Sequence, residues 1–210
     1  MFLLTVSAVF PIVDPLAGTP FFLAMTERYP RELRRSLAWR VALNSLLLMV
    51  GSYFIGAHVL NFFGVSLPVV QVGGGLVVVA MGWNTLVQGE DTQQTSRQTL
   101  QCSDALRSAF YPLTLPLTVG PGTISVAVTL GANSTRRYGF HVPVILAAVF
   151  AMIAVAITVL LCYGLADHLA RILGRTAMTV ILRLSSFLLV CIGVQIMWNG
   201  ISALVLSLHY

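Results

Sequence analysis

The chain has 210 residues, of which 57% are hydrophobic and 9% are charged, and its mean hydropathy is +0.88. About 25% of the residues in an ordinary soluble domain are charged, so this composition excludes a soluble globular protein. It predicts an all-α integral membrane protein that forms a single membrane domain, residues 1–210. The net charge of +5 comes from arginines clustered near the ends of apolar runs, a pattern that favours membrane orientation over a nucleic-acid partner.

Six apolar runs are long enough to cross a bilayer as helices, which takes about 20 residues each. They lie at about 2–25, 41–60, 67–87, 109–130, 142–165 and 181–206. A basic loop follows the first run, and a polar segment separates the third run from the fourth. The sequence therefore predicts a first repeat at 1–87, a polar cytoplasmic linker at 88–108 and a second repeat at 109–210.

The distribution of arginines predicts how the chain is oriented in the membrane. Ten of the twelve arginines fall in connections one, three and five, and the other two are Arg136 and Arg137 in connection four. Basic connections stay in the cytoplasm, so both termini are predicted to be periplasmic. Because each repeat has three spans, the second repeat enters the membrane from the opposite side, and the repeats are inverted.

The first and fourth runs share a pattern of three prolines. Residues 10–20 are FPIVDPLAGTP and residues 111–121 are YPLTLPLTVGP, so each proline recurs at an offset of 101. Proline lacks a backbone donor and clashes with the preceding helical turn. Interrupted helices at matching positions of two halves are typical of a transporter binding site. The pattern predicts that helices 1 and 4 are broken and form a site near the bilayer centre. Kinks that serve only packing are the alternative.

Each motif predicts a half-helix that restarts at its last proline, with Thr19 before Pro20 and Gly120 before Pro121. N–H groups at a helix N-terminus bind carboxylates, and carbonyl groups left unbonded before proline accept from an ammonium group. A small zwitterionic or neutral solute is therefore the expected ligand. The predicted substrate-binding residues are Asp14, Pro15, Gly18, Thr19, Pro20, Thr114, Pro116, Gly120, Pro121, Gly122 and Thr123.

Asp14 is the acidic residue that lies well inside an apolar run. An intramembrane carboxylate is costly, and it is by default a functional hypothesis. Its predicted partners are a substrate ammonium group, a coupling cation or a proton. The alternative is a carboxylate that accepts hydrogen bonds from backbone N–H groups at the broken helix. Leu115 is its counterpart in the second motif, so the predicted site is asymmetric.

Motifs for catalysis and for metal binding are missing from the sequence. It contains no G-x-S-x-G, no H-E-x-x-H and no paired-cysteine pattern. We therefore expect neither an enzyme nor a catalytic residue, a metal site or a cofactor. The triplet at 73–75, three consecutive glycines, predicts close helix packing, because small residues let helix backbones approach one another.

Four segments carry a family resemblance: DPLAGTP at 14–20, FGVSLPVVQVGGGL at 63–76, PLTVGPGTIS at 116–125 and RLSSFLLVCIGVQIMWNGI at 183–201. Together they resemble the MarC family of bacterial inner-membrane proteins. The resemblance implies two inverted repeats of three helices in a multi-pass inner-membrane protein. Better-understood members are similar to transporters of small neutral amino acids such as alanine and glycine. The chain departs from the family pattern at Ala17, Gln71 and Ser186.

These observations predict a secondary transporter that exports small neutral amino acids by alternating access around a midplane site. The expected partners are the solute, the lipid bilayer and a coupling proton or sodium ion, and a homo-oligomer is left open. A non-transporting membrane scaffold or regulator of unknown ligand is the alternative from another class.

Overall fold

The computed structural model describes residues 1–26, 29–87, 109–138 and 141–208, and within these ranges it contains helices and no strand. The predicted linker at 88–108 lies outside them. The helices are α1 (Phe2–Val13), α2 (Pro15–Thr26), α3 (Arg31–Phe62), α4 (Leu67–Val87), α5 (Ala109–Thr118), α6 (Pro121–Tyr138), α7 (Val142–Gly164) and α8 (Ala166–Leu208).

Five stretches of the described chain are long and apolar enough to cross a membrane. They are Phe2–Leu23, Arg31–Phe62, Leu67–Val87, Val142–Gly164 and Thr179–Ser207. Each coincides with one of the predicted spans. The predicted fourth span, at about 109–130, falls on α5 and α6, and neither helix meets these criteria by itself.

The helix α3 begins at Arg31, about ten residues earlier than the sequence predicted. The arginines between residues 27 and 40 predict a basic loop there. Arginine, leucine and glutamate are good helix formers, however, and Pro30 provides an extended residue immediately before the first turn. The basic segment is therefore the first three turns of a long helix.

Helices from the two halves pack mainly against each other. The centre of the bundle is formed by α3 and α7, which bury side chains such as Leu37, Met49, Met152 and Val159. The helix α1 packs on α7, while α6 packs on both α3 and α4. Large apolar side chains cover the outside, where they suit contact with lipid; Phe54, for example, is 43% exposed.

The most extensive contact in the fold joins α4 to α8, and glycines make it close. A Cβ atom at Gly75 would lie 2.6 Å from the carbonyl oxygen of Gly193, and one at Gly200 would lie 2.6 Å from that of Pro68. Gly82 faces Ser186 in the same way. The paired numbers rise on one helix as they fall on the other, so the helices are antiparallel. On both helices, small residues recur at intervals of seven, and their small size lets the two backbones come into direct contact.

The glycine triplet at 73–75 provides a matched test of this contact. Gly75 faces the α8 backbone, whereas a Cβ atom at Gly73 would have no atom within 4 Å. We expect Gly75→Ala to lower the stability of the purified protein by about 1–3 kcal/mol through overpacking. Gly73→Ala should leave it nearly unchanged. Unfolding midpoints in one detergent measure both variants, and equal midpoints would contradict the described packing.

Candidate functional site

Asp14 lies between α1 and α2, where it follows the last residue of α1 and precedes the first residue of α2. Its backbone is left-handed, with φ 38°, and its N–H donates to the carbonyl oxygen of Phe10 at 2.9 Å. Its carboxylate Oδ1 accepts from the Ala17 N–H at 3.2 Å, the bond of an N-terminal cap. Pro15 follows as the first helical residue, a position that proline favours. The sequence Asp-Pro therefore ends one helix and begins the next.

This geometry corrects the predicted restart of the first motif. The helix α2 begins at Pro15 and continues through Pro20, so Thr19 is an interior residue and not a cap. The Thr19 hydroxyl donates instead to the carbonyl oxygen of Pro15 at 2.8 Å. Asp14 caps the helix five residues earlier than predicted, and the helix has no second N-terminus at Pro20.

The second motif contains irregular backbone at the residues that precede two of its prolines. Tyr111 and Leu115 have extended dihedral angles inside α5, because the ring of a following proline disfavours the helical conformation. The hydroxyls of Thr114 and Thr118 donate to the carbonyl oxygens of Ala109 and Leu113 at 2.7 and 2.8 Å. Each threonine hydroxyl thus bonds a carbonyl oxygen five residues earlier in the irregular segment.

In the second motif, a helix begins at the last proline, the position at which the sequence predicts a restart. The helix α6 begins at Pro121, directly after Gly120, and the Ile124 N–H donates to the Gly120 carbonyl oxygen at 3.2 Å. Its first turns pack on α4: a Cβ atom at Gly122 would collide with Val78. The two motifs are therefore built differently, because the first restarts at its middle proline and the second restarts at its last.

Tyr163, near the end of α7, connects the two motifs. Its hydroxyl lies 3.1 Å from the hydroxyl of Thr118 in the second motif. Its ring stacks on Phe22 of α2 at 4.6 Å between centroids. Gly18 of the first motif lies directly against it, and a Cβ atom there would collide with the Tyr163 hydroxyl. A fully buried tyrosine thus contacts residues of both proline motifs.

The sequence did not single out Tyr163. One tyrosine near the end of a long apolar run is typical of a residue at the membrane interface. Its structural partners, Thr118 and Gly18, are 45 and 145 residues away in sequence, and no local pattern indicates the contact. The glycine in the first motif was the available signal, since a glycine there permits a ring to approach the helix backbone.

Polar groups from four elements meet around Asp14. Ser185 on α8, and Cys162 and Tyr163 on α7, are close enough for electrostatic interaction with its carboxylate. Thr118 joins through its contact with Tyr163. We call these five residues the Asp14–Tyr163 cluster. Asp14 lies within the candidate membrane span Phe2–Leu23, and the cluster draws on both halves of the chain.

The predicted site residues divide between this cluster and the contact with α4. Asp14 belongs to the cluster, and Gly18 packs against its tyrosine. Gly122 lies against α4, and Pro121 borders a groove between α3, α4 and α6. Most of the predicted residues are buried: Pro15, Gly18, Thr19, Thr114, Gly120, Gly122 and Thr123.

A groove of about 660 Å³ lies between α3, α4 and α6, away from the cluster. Its lining is apolar apart from Ser52 and Ser125, and the Ser125 hydroxyl already donates to the Val70 carbonyl oxygen at 3.0 Å. Of the predicted site residues, only Pro121 borders it. A surface with so few free polar groups suits an apolar chain and not a zwitterion. The cluster is therefore the stronger candidate for a polar solute.

Comparisons with known proteins cover almost the entire chain. A family model described as "MarC family integral membrane protein" matches residues 1–205. The inner membrane protein MarC of Salmonella typhimurium is 29% identical over 207 residues, which cover 95% of this chain and 93% of that protein. Its counterpart in Citrobacter koseri is 31% identical over 208 residues, with the same coverage.

An archaeal relative extends the comparison. A UPF0056 membrane protein of Methanocaldococcus jannaschii is 27% identical over 201 residues, covering 95% of each chain. No solved structure matches this chain.

The contact between Gly18 and Tyr163 predicts non-additive substitutions. We expect Gly18→Ala to destabilise the protein, because the new methyl group collides with the tyrosine hydroxyl. Tyr163→Phe removes that hydroxyl and its bond to Thr118, which we expect to cost about 1 kcal/mol.

The double variant should be more stable than the sum of the two single effects, because the worst collision is gone. Unfolding midpoints of the four proteins in one detergent measure the coupling. Additive effects would show that Gly18 and Tyr163 do not touch.

Proposed function

Because the chain belongs to the MarC family of integral membrane proteins, we propose that it is a secondary transporter that exports small neutral amino acids. Transport would proceed by alternating access around a site between the first and second proline motifs. The proposal includes no catalytic residue, cofactor or metal. Its partners are the amino acid, the surrounding lipid and a coupling proton or sodium ion.

The observation that carries the proposal is the Asp14–Tyr163 cluster. A carboxylate lies at an interruption between two helices inside a candidate membrane span, where an ionisable group is costly without a role. It is half-buried, and its neighbours come from both halves of the chain. A polar site at interrupted helices between two halves is the arrangement that transporters use for substrates.

Within the proposal, the fold has six spans arranged as two inverted repeats of three helices, with spans 1 and 4 broken. The stretch α5–α6 would be the fourth span. The packing supports this arrangement, because α3 packs on α6 as α7 packs on α2, and α4 packs on α6 as α8 packs on α2. Gly64 and Gly174, each with φ 67°, precede the last span of their halves. The repeats would span 1–87 and 109–210.

Substrate chemistry follows from the groups around the cluster. The Asp14 carboxylate would bind the substrate ammonium group, and the serine and threonine hydroxyls would supply further hydrogen bonds. The first turn of α6, at Gly122 and Thr123, would offer N–H groups to the substrate carboxylate. A homo-oligomer is compatible with the proposal and is not required by it.

We place the protein in the inner membrane of a bacterium, by analogy with the Salmonella and Citrobacter relatives that carry this location in their names. The arginine distribution supports periplasmic termini. Alkaline phosphatase fused to either terminus should then be active, and inactive fusions would reverse the orientation.

A non-transporting scaffold or regulator is the second candidate, and one observation favours it. The Asp14 carboxylate already accepts from the Ala17 N–H, and the hydroxyls of Thr19 and Thr114 already donate to local carbonyl groups. Polar groups that stabilise their own helices in this way need no ligand. A flux measurement distinguishes the two candidates.

We expect purified protein in proteoliposomes to move labelled alanine, glycine or threonine faster than protein-free liposomes do, with saturation. A gradient of the coupling ion, whether proton or sodium, should change the rate of amino-acid flux. A gradient of the other ion should leave that rate unchanged. Gel filtration before reconstitution confirms folded protein. If folded protein moves no solute in a broad panel of amino acids, the transporter proposal is wrong and the scaffold is favoured.

Asp14→Asn separates the charge of Asp14 from its role as a helix cap. Asparagine keeps an oxygen that accepts from the Ala17 N–H, so we expect α2 and the fold to persist. Flux should fall at least about tenfold, or lose its dependence on pH, because the carboxylate is gone.

The matched control is Asp14→Ala, which removes the cap as well and should cost about 1 kcal/mol of stability. Flux and pH response that are unchanged in Asp14→Asn would identify Asp14 as a structural cap alone.

A further inference from the structure

One buried arginine ties together three helices at one end of the bundle. Arg34, in the second turn of α3, pairs with the carboxylate of Asp167 at the start of α8. The same guanidinium donates to the carbonyl oxygens of Thr26 and Tyr29, at 3.1 and 3.4 Å. Its side chain is 10% exposed, whereas that of Asp167 is 36% exposed. From the sequence, Arg34 is one of the arginines whose distribution predicts the orientation of the chain in the membrane, and no further role is predicted for it.

The pair bridges the two halves of the chain. Arg34 and Asp167 are 133 residues apart in sequence, so the pair joins a residue of the first half to a residue of the second. Guanidinium can serve several acceptors at once because its donors form a planar fork. Its bonds at the end of α2 also stabilise carbonyl groups at a helix C-terminus. Loss of the carboxylate would remove one charge-assisted hydrogen bond from a largely buried guanidinium, which is unfavourable.

The ion pair lies next to the Asp14–Tyr163 cluster along two helices. Asp167 follows Tyr163 by four residues, across the turn at Leu165. Thr26 follows Gly18 by eight residues of α2, a rise of about 12 Å. The ion pair and its carbonyl partners therefore lie between the cluster and the end of the bundle at which α2 ends and α8 begins.

We propose that the Arg34–Asp167 ion pair closes this end of the bundle over the Asp14–Tyr163 cluster and that its rupture opens the cluster to water. As a step of transport, the opening rests on the proposed function. As a property of the structure, it is measurable without any substrate. In the closed state the fork of Arg34 holds α2, α3 and α8 together, and rupture releases α8 from the other two.

Cys162 is a native reporter of this opening. It is half-buried in the cluster, beside Asp14. Replacing Cys102 and Cys191 by serine leaves it as the single thiol. In nanodiscs, both faces of the protein are accessible to a water-soluble maleimide, so the labelling rate of Cys162 measures exposure of the cluster. Labelling of denatured protein sets the full extent.

We expect Asp167→Asn to raise the labelling rate of Cys162 at least about tenfold, the effect of losing one charge-assisted hydrogen bond. Asp167→Glu keeps the carboxylate and should stay near the reference rate. Arg34→Lys keeps the charge without the fork, so an intermediate rate is expected. It also tests the proposal if Asp167→Asn does not fold. Arg35→Gln is the matched control, because Arg35 is exposed on the same helix and should have no effect.

The proposal is overturned if folded Asp167→Asn and Arg34→Lys both label at the reference rate, or if Arg35→Gln raises the rate as much as they do. The outcome is independent of flux. Faster labelling in a protein that moves no solute would support the closing ion pair and refute the transporter. Measurable flux with unchanged labelling would refute the ion pair alone.

Discussion

Every polar backbone group inside a bilayer needs a hydrogen-bond partner within the protein, and the prolines of the two motifs remove donors there. Short polar side chains add hydrogen bonds at both motifs. Asp14 bonds the N–H of Ala17, and Thr19, Thr114 and Thr118 bond nearby carbonyl groups. Tyr163 contacts both motifs, at Gly18 and at Thr118. The candidate site therefore lies where residues of the two interrupted segments meet one tyrosine.

Much of the fold could be predicted from the sequence because hydropathy and proline chemistry act locally. The five apolar stretches follow from composition, and the restart at Pro121 follows from the preference of proline for the first helical position. The same preference misplaced the start of α2, because Asp14 supplies a stronger cap before Pro15. A capping side chain followed by proline is therefore a stronger signal for the start of a helix than a proline without such a cap.

The rest of the site depends on contacts between residues far apart in sequence. No sequence motif singles out Tyr163, and Arg34 is one of several arginines whose distribution predicts orientation. Neither the burial of Arg34 nor its partner Asp167 has a local signal, since both arise when α3 meets α8. Packing also decides at which glycines a side chain would be excluded. A Cβ atom at Gly75 would collide with the backbone of α8, whereas one at Gly73, two residues away, would have no atom within 4 Å.

The glycine contacts between α4 and α8 have a mechanical consequence. Because backbone lies against backbone at Gly75 and Gly193, with Val72, Val79 and Val190 packed beside the glycines of this contact, a translation of one helix along the other would drive side chains against a main chain. A flexible side chain can change rotamer as helices shear, whereas a main chain cannot move aside in that way. We therefore expect α4 and α8 to move together as one rigid unit. Relative movement of the two halves is then limited to rotation of the other helices around this pair.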